Sequence, residues 1–548
     1  MRPSPPKPVR AGTLSIARLI ARMIALSSVL AIAAGLTVAV APAGSAADSM
    51  TYLDGMTKAR DVAAGGGKVF ISGDDQIVVT DSRGTITDTI TDLPGASGLA
   101  MTPDSTRMFV ALSGAQQVIE LDTDSLAVIR RIDVAPHPCP SNLTLSADRL
   151  WVGYGCGNTF NGGVFGLDLS TASPEPAPVV SNIYNAPLVA AAGGTLVVGE
   201  TGLSACDLMV YDVSGTTATQ RGVINGSENS LVISDLALTS DGSVVILNDL
   251  DGWDTTSLTR TLSFEGSAAS VAISPDGAHL ATTGMTSSNI TIYDMGTTAQ
   301  TYRVSASYAS PVTGTLAFSG TDVFAVLEES TSQRRLRLWR AEGATLPGST
   351  LELATPSTGT ALVPVTATGR LTQADGSAPG PQPLVVTRKL PDGTSTTIPG
   401  VTTSPDGAFT FTDTPPVSGA ITYEVLWNGN ADFRWSRASA TVTVARHPSS
   451  ITLSGPTTGV VGKQLSFSGV LDAGDQTPPS GALLVVYRTV SGGNLQLVGT
   501  VNTNSEGSFG FVDTPTAGGE HVYEVRWDGT NVFMYTSGTH NVTVRGRP

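Results

Sequence analysis

The densest group of side chains able to do chemistry is Asn248-Asp249-Leu250-Asp251-Gly252-Trp253-Asp254. Carboxylates at alternating positions around a glycine turn can converge on Ca²⁺, which takes roughly six to eight oxygen ligands. Asp249, Asp251 and Asp254 are therefore the candidate metal ligands, and calcium is the one candidate cofactor. The spacing is not that of an EF-hand, no Glu closes the loop, and Asp and Gly are also the ordinary residues of a hairpin turn. A second group is the three cysteines, Cys139, Cys156 and Cys206. No two are spaced CxxC, which argues against a thiolate metal site, so one disulfide and one free thiol are expected in an oxidising compartment. Of the five histidines, His137 lies in Pro136-His137-Pro138-Cys139-Pro140, and His279 follows a turn, where a solvated residue is expected. Neither has an evident imidazole partner for a metal. No Gly-x-Ser-x-Gly elbow, His-Glu-x-x-His or phosphate loop occurs, so no catalytic residue is nominated.

The elements that must position these groups are strands. A chain of 548 residues suggests about two to four domains. Hydrophobic residues at 41% and charged residues at 14% exclude a disordered chain. The 60 Gly and 33 Pro lack the period of three that collagen requires. Thr, Val and Ser dominate the periodic segments, which favours β structure. Ahead of these, Arg2, Lys7, Arg10, Arg18 and Arg22 precede the apolar run Met23 to Val40, and small residues follow at 43–47. That order predicts a secretory signal over 1–47, cleaved after Ala46 or Ala47; the alternative is an uncleaved anchor at the cell surface. Cleavage takes the formal charge from −15 to −20. So acidic a surface repels phosphate backbones, which argues against nucleic acid and anionic membranes as partners. No second run of spanning length follows, and the expected product is a secreted monomer with no membrane span.

From 50 to 353 one unit recurs. Its clearest copy is Val271-Ala272-Ile273-Ser274-Pro275-Asp276-Gly277, then His279-Leu280-Ala281-Thr282, then Ile290-Thr291-Ile292-Tyr293-Asp294. Others begin at Leu99 and Leu236, with weaker ones near Arg60, Leu143, Pro187 and Thr315. The turns recur at 102, 146, 191, 239, 274 and 318. A period near forty with three or four strands per unit is the signature of propeller blades, each of which buries its faces against its neighbours. The count is seven, or six if the departures from the motif remove one. The units resemble the YVTN-type β-propeller repeats of exported bacterial proteins, although no copy carries the literal motif.

From 355 the period changes. Phe409-Thr410-Phe411-Thr412-Asp413-Thr414-Pro415 matches Phe509-Gly510-Phe511-Val512-Asp513-Thr514-Pro515, and Tyr423-Glu424-Val425-Leu426-Trp427 matches Tyr523-Glu524-Val525-Arg526-Trp527. Every offset is 100. Two modules, 355–446 and 447–548, with alternating strands read as tandem β-sandwiches and resemble bacterial immunoglobulin-like repeats. Tyr423 and Tyr523 sit where a tyrosine corner would close a backbone turn, and Trp427 and Trp527 fall on the same strand as core residues or plugs. The fold class expected is thus all-β: a propeller followed by two immunoglobulin-like sandwiches.

This topology selects a disulfide. Cys139 precedes a first strand, the hairpin turns at 146–148, and the returning strand brings Cys156 back to the same end. Cys206 stands at the corresponding loop one unit on, so Cys139–Cys156 is the expected bond. The expected function is non-catalytic recognition, adhesion or display toward an extracellular protein or glycan, with the sandwiches as a spacer. The alternative, implied by enzymes of similar repeat type, is a secreted hydrolase or lyase acting on a lactone or sugar. An apolar, small-residue channel is expected from Leu99-Ala100-Met101 and Val271-Ala272-Ile273.

Overall fold

A computed structural model describes residues 36–40, 49–285, 287–307, 309–330, 334–477 and 479–546. The expected signal 1–47 lies outside the described residues, apart from a strand at Leu36–Val40 that pairs antiparallel with Glu352 to Pro356. The chain divides into two units: Ala43–Ser349 with Asn428–Trp435, and Met1–Pro42 with Thr350–Trp427 and Ser436–Pro548.

The first unit is built of four-stranded antiparallel sheets, all but the last made from four consecutive strands. One runs Ala268–Ile273, His279–Gly284, Asn289–Asp294, Gln300–Ser305. The innermost strands of the sheets are, in chain order, Asp61–Gly65, Ala96–Met101, Pro140–Ser146, Leu188–Ala192, Leu236–Leu238, Ala268–Ile273 and Ala309–Ser319. Each lies against the next and the last lies against the first, so the sheets form a closed ring of β-propeller blades. Second strands are apolar on both faces because both faces are covered: Val69, Phe70 and Ile71 are all fully buried. The last sheet takes its outer strand from the other end of the sequence. Ser49–Tyr52 pairs with Leu336–Ala341, Ser49 opposite Arg340 and Tyr52 opposite Arg337. This closing strand had no signature among the repeats.

The recurrent aspartates are turn formers. At the first hairpin Asp104 accepts from the Thr102 hydroxyl and the Thr106 amide, and Asp241 and Asp276 repeat the pattern. Gly242 and Gly277 follow at φ of +75° and +72°, which a side chain would strain. At the end of the third strand Asp122, Asp168, Asp212, Asp254 and Asp294 each accept amides two or three residues on. These bonds hold the carboxyls of Asp104, Asp212 and Asp241 down at about 2, while the groups themselves stay in solvent.

The second unit holds two like sets of strands. In the first, Ser349–Pro356, Val365–Gln373 and Ala408–Asp413 share one sheet; Thr358–Thr360, Ser436–Ala445, Gly419–Trp427, Val385–Lys389 and Ser395–Ile398 make the other. The second set repeats both sheet orders with Ser450–Ser454, Leu465–Asp472 and Ser508–Asp513, and with Thr458–Val460, Thr536–Arg545, Gly519–Trp527, Leu483–Val490 and Gln496–Asn502. Its two sheets share a core in which Ile451 and Leu471 meet Leu484, Val525 and Trp527. Alternation along Gly419–Trp427 buries Ile421, Tyr423, Val425 and Trp427.

Candidate functional site: a polar channel

A cavity of about 530 Å³ lies at the centre of the ring, lined by the innermost strand of every sheet. Its wall is not the apolar one expected. Arg60, Asp61 and Asp235 line it together with Ser97, Ser141 and Asn142. Asp61 opens the first innermost strand and Asp235 immediately precedes the fifth. Each carboxylate bridges two sheets. Asp61 accepts the Val62 amide at 2.7 Å and the Leu99 amide of the next sheet at 2.7 Å. Asp235 accepts from Leu236 at 3.0 Å and from Val271 of the next sheet at 2.9 Å. In both receiving strands the ladder shifts register just there, between Ala96 and Leu99 and between Ala268 and Ser270. The carboxylates supply the acceptors for these inward-turned amides. The belt continues with Ser270 Oγ accepting from Gly314 and Asn142 Nδ2 donating to Pro187.

Burial pushes the carboxyls of Asp61 and Asp235 up to about 7 against the pull of their amide bonds, and the charge of Asp235 raises Asp61 further. Near neutrality both protonation states of each are therefore populated, and both side chains remain partly open to the channel. The sequence carried a signal for them: Asp61-Val62-Ala63 and Asp235-Leu236-Ala237 put Asp at the same place in two repeats.

Cys139 and Cys156 are bonded, with Cα atoms 5.3 Å apart, and Gly155, Cys156 and Gly157 border the cavity. The bond ties the chain leading into the third sheet to the loop after its second strand, as the topology required. That loop is braced by Asn161 Oδ1 accepting the Cys156 amide. It carries Phe160, 64% exposed, whose ring meets Tyr184 edge-on at 5.2 Å. Cys206 is free and buried in the corresponding loop of the next sheet. His137 packs between Tyr154 and Phe165 at 4.6 and 4.7 Å, and burial lowers its pKa. His279 lies in a strand and is half-buried, not a solvated turn residue as expected.

The candidate calcium ligands are not assembled. Asp251 pairs with Arg260 at 2.7 Å, and Asp249 accepts the Asp251 amide. Asp254 closes the far end of the strand, one of the recurrent turn aspartates. Among the described residues no three His, Cys, Asp or Glu side chains gather to hold a metal ion. The tyrosines also differ from expectation. Tyr423 and Tyr523 donate to side chains, the carboxylates of Asp413 and Asp513, and not to a backbone turn. Arg388 and Arg488 reach the same carboxylates at 2.8 and 2.6 Å. Trp427 is buried and donates to Gln382 at 3.2 Å.

No family model matches the chain, and no curated protein does. Among solved structures it is similar to Kuenenia stuttgartiensis hydrazine synthase, at 16% identity over 55% of this chain and 99% of that one, with a TM-score of 0.39. It is also similar to the β-propeller domain of Cps50 (Swd1) from Myceliophteria thermophila, at 13% identity over 53% and 99%, TM-score 0.40. Kluyveromyces lactis Hsv2 matches at 12% identity over 55% and 94%, TM-score 0.35. At such identities the likenesses do not bear on activity or partners. Among the described residues no helix is long and apolar enough to cross a membrane.

Proposed function

We propose that this chain is an exported, non-catalytic recognition or display protein. In this reading 1–47 is a cleaved signal, 50–353 is a seven-bladed propeller of YVTN type, and 355–446 and 447–548 are immunoglobulin-like spacers. The observation that carries the reading is the closed ring of sheets around a polar channel whose rim holds a disulfide-braced loop with an exposed aromatic ring. A concave polar site on a rigid scaffold, with an aromatic anchor beside it, suits capture of an extracellular protein or glycan. The test is a glycan and matrix-protein array on the secreted chain. At least one ligand should be retained, and Phe160→Ala should weaken it about tenfold, the loss of one aromatic anchor.

The two channel carboxylates support one second reading. Groups with pKa values of about 7 are matched to general acid–base work at neutral pH, as a hydrolase or lyase acting on a lactone or sugar would need. Turnover of a lactone or sugar panel that disappears in both Asp61→Asn and Asp235→Asn would favour it over recognition.

A further inference from the structure

The channel itself indicates what chemistry it would hold, granted the recognition reading above. Asp61 opens the first of the innermost strands and Asp235 immediately precedes the fifth, so they stand on different walls of one cavity, near enough for the charge of Asp235 to act on Asp61. Each of their four carboxylate oxygens already accepts one backbone amide. What remains is one acceptor position per oxygen, facing a space of about 530 Å³. Among the described residues Arg60 is the only other charged side chain in that wall, so these groups are net negative when both carboxyls are ionised. An anion is disfavoured there. A divalent metal would need about six oxygens at close range, and two carboxylates on separate walls do not supply them. An ammonium group fits: it brings three N–H donors and one positive charge, tolerates water in its remaining contacts, and relieves the repulsion between the two aspartates.

We propose that the channel is a binding site for an alkylammonium group, held through its N–H donors by Asp61 and Asp235. A cation placed between the two groups would favour their ionised form and so lower the carboxyl pKa values from about 7.

Isothermal titration of the full chain with putrescine and with its neutral isostere butane-1,4-diol tests the assignment. At pH 8 putrescine should bind at least about tenfold more tightly than the diol, the worth of a charge-assisted hydrogen bond. The advantage should shrink at pH 5, where both aspartates are protonated and Arg60, the third charged group of the wall, is unchanged. Asp61→Asn and Asp235→Asn should each weaken putrescine about tenfold and leave the diol unaffected. Should either variant fail to fold, the two probes on the unmodified chain still decide the matter. Equal affinity for putrescine and diol would overturn the ammonium assignment and leave the channel as a site for a neutral ligand. Binding of neither probe would also overturn it, while an array ligand sensitive to Phe160→Ala would still support recognition at the rim. Recognition itself fails separately, if no array ligand is retained.

Discussion

The hydroxyl of Tyr423 donates to the carboxylate of Asp413 at 2.8 Å, and Arg388 holds the same carboxylate from its other side at 2.8 Å. One hundred residues on, Tyr523, Asp513 and Arg488 make the same trio. A buried acceptor with two donors lacks the backbone freedom of a turn contact, so its loss is felt by the whole sandwich. Tyr423→Phe should lower the stability of its module by about 1.5–3 kcal/mol, the range for a hydrogen bond to a charged group. Asp413→Ala should cost more, about 3–5 kcal/mol, because Arg388 is left partly buried without its counter-ion. Urea titration followed by tryptophan fluorescence measures both, and the substitutions at 523 and 513 should rank in the same order.

The channel carboxylates make stability fall as pH rises. The folded pKa of Asp61 and of Asp235 is about 7 against 3.8 for the free side chain. Their contribution is therefore fully present below 3.8 and lost as pH passes through about 7. Asn is neutral at every pH, but its amide nitrogen cannot accept from a backbone amide, so each substitution also gives up one of the two bonds that the carboxylate makes. The parent ring should lose stability between pH 4 and pH 8, and Asp61→Asn and Asp235→Asn should each make that loss smaller by about 1–2 kcal/mol after screening by channel water. Thermal melts across that range would show it, and a pH dependence equal to the parent's would contradict the burial argument.

Breaking Cys139–Cys156 should cost about 3 kcal/mol, the chain entropy of a loop of 17 residue steps. Cys139→Ser with Cys156→Ser should lower the melting point of the ring and leave both sandwiches unaffected. Peptide mapping should find Cys206 unmodified until the fold opens, since its thiol is buried.

Deleting 49–52 removes the outer strand of the closing sheet. Leu338 and Trp339 on the adjoining strand are buried in the intact ring. The bared edge of Leu336–Ala341 should then seek another strand, giving oligomers in size-exclusion chromatography. A peptide Ser-Met-Thr-Tyr supplied in excess should restore the monomer in part.

Repeating side chains made the ring legible. Asp276 and its turn, and the apolar second strands, appear in copy after copy because each sheet solves the same burial problem. Ser49–Tyr52 has no such signature, since a single strand completing someone else's sheet needs no turn or period of its own. The disulfide followed from hairpin topology alone. Asp61 and Asp235 were harder to see, because a lone Asp before a strand also reads as a turn residue, and only closure of the ring turns both toward one space. Asp249, Asp251 and Asp254 are close in sequence, but Asp251 and Asp254 stand at the two ends of one strand, and Asp254 belongs to a turn family that the repeats had already displayed.

The clasp between Ser49–Tyr52 and Leu336–Ala341 also decides how the ring would bear a load. Ser49 lies opposite Arg340, so the chain arrives and departs at the same end of this antiparallel pair. A pull on the segment before Ser49 against the segment after Ala341 meets the ladder one hydrogen bond at a time, an unzipping geometry that yields at low force. In single-molecule stretching from these two points, the clasp should release first as a small extension, before the remaining sheets give way.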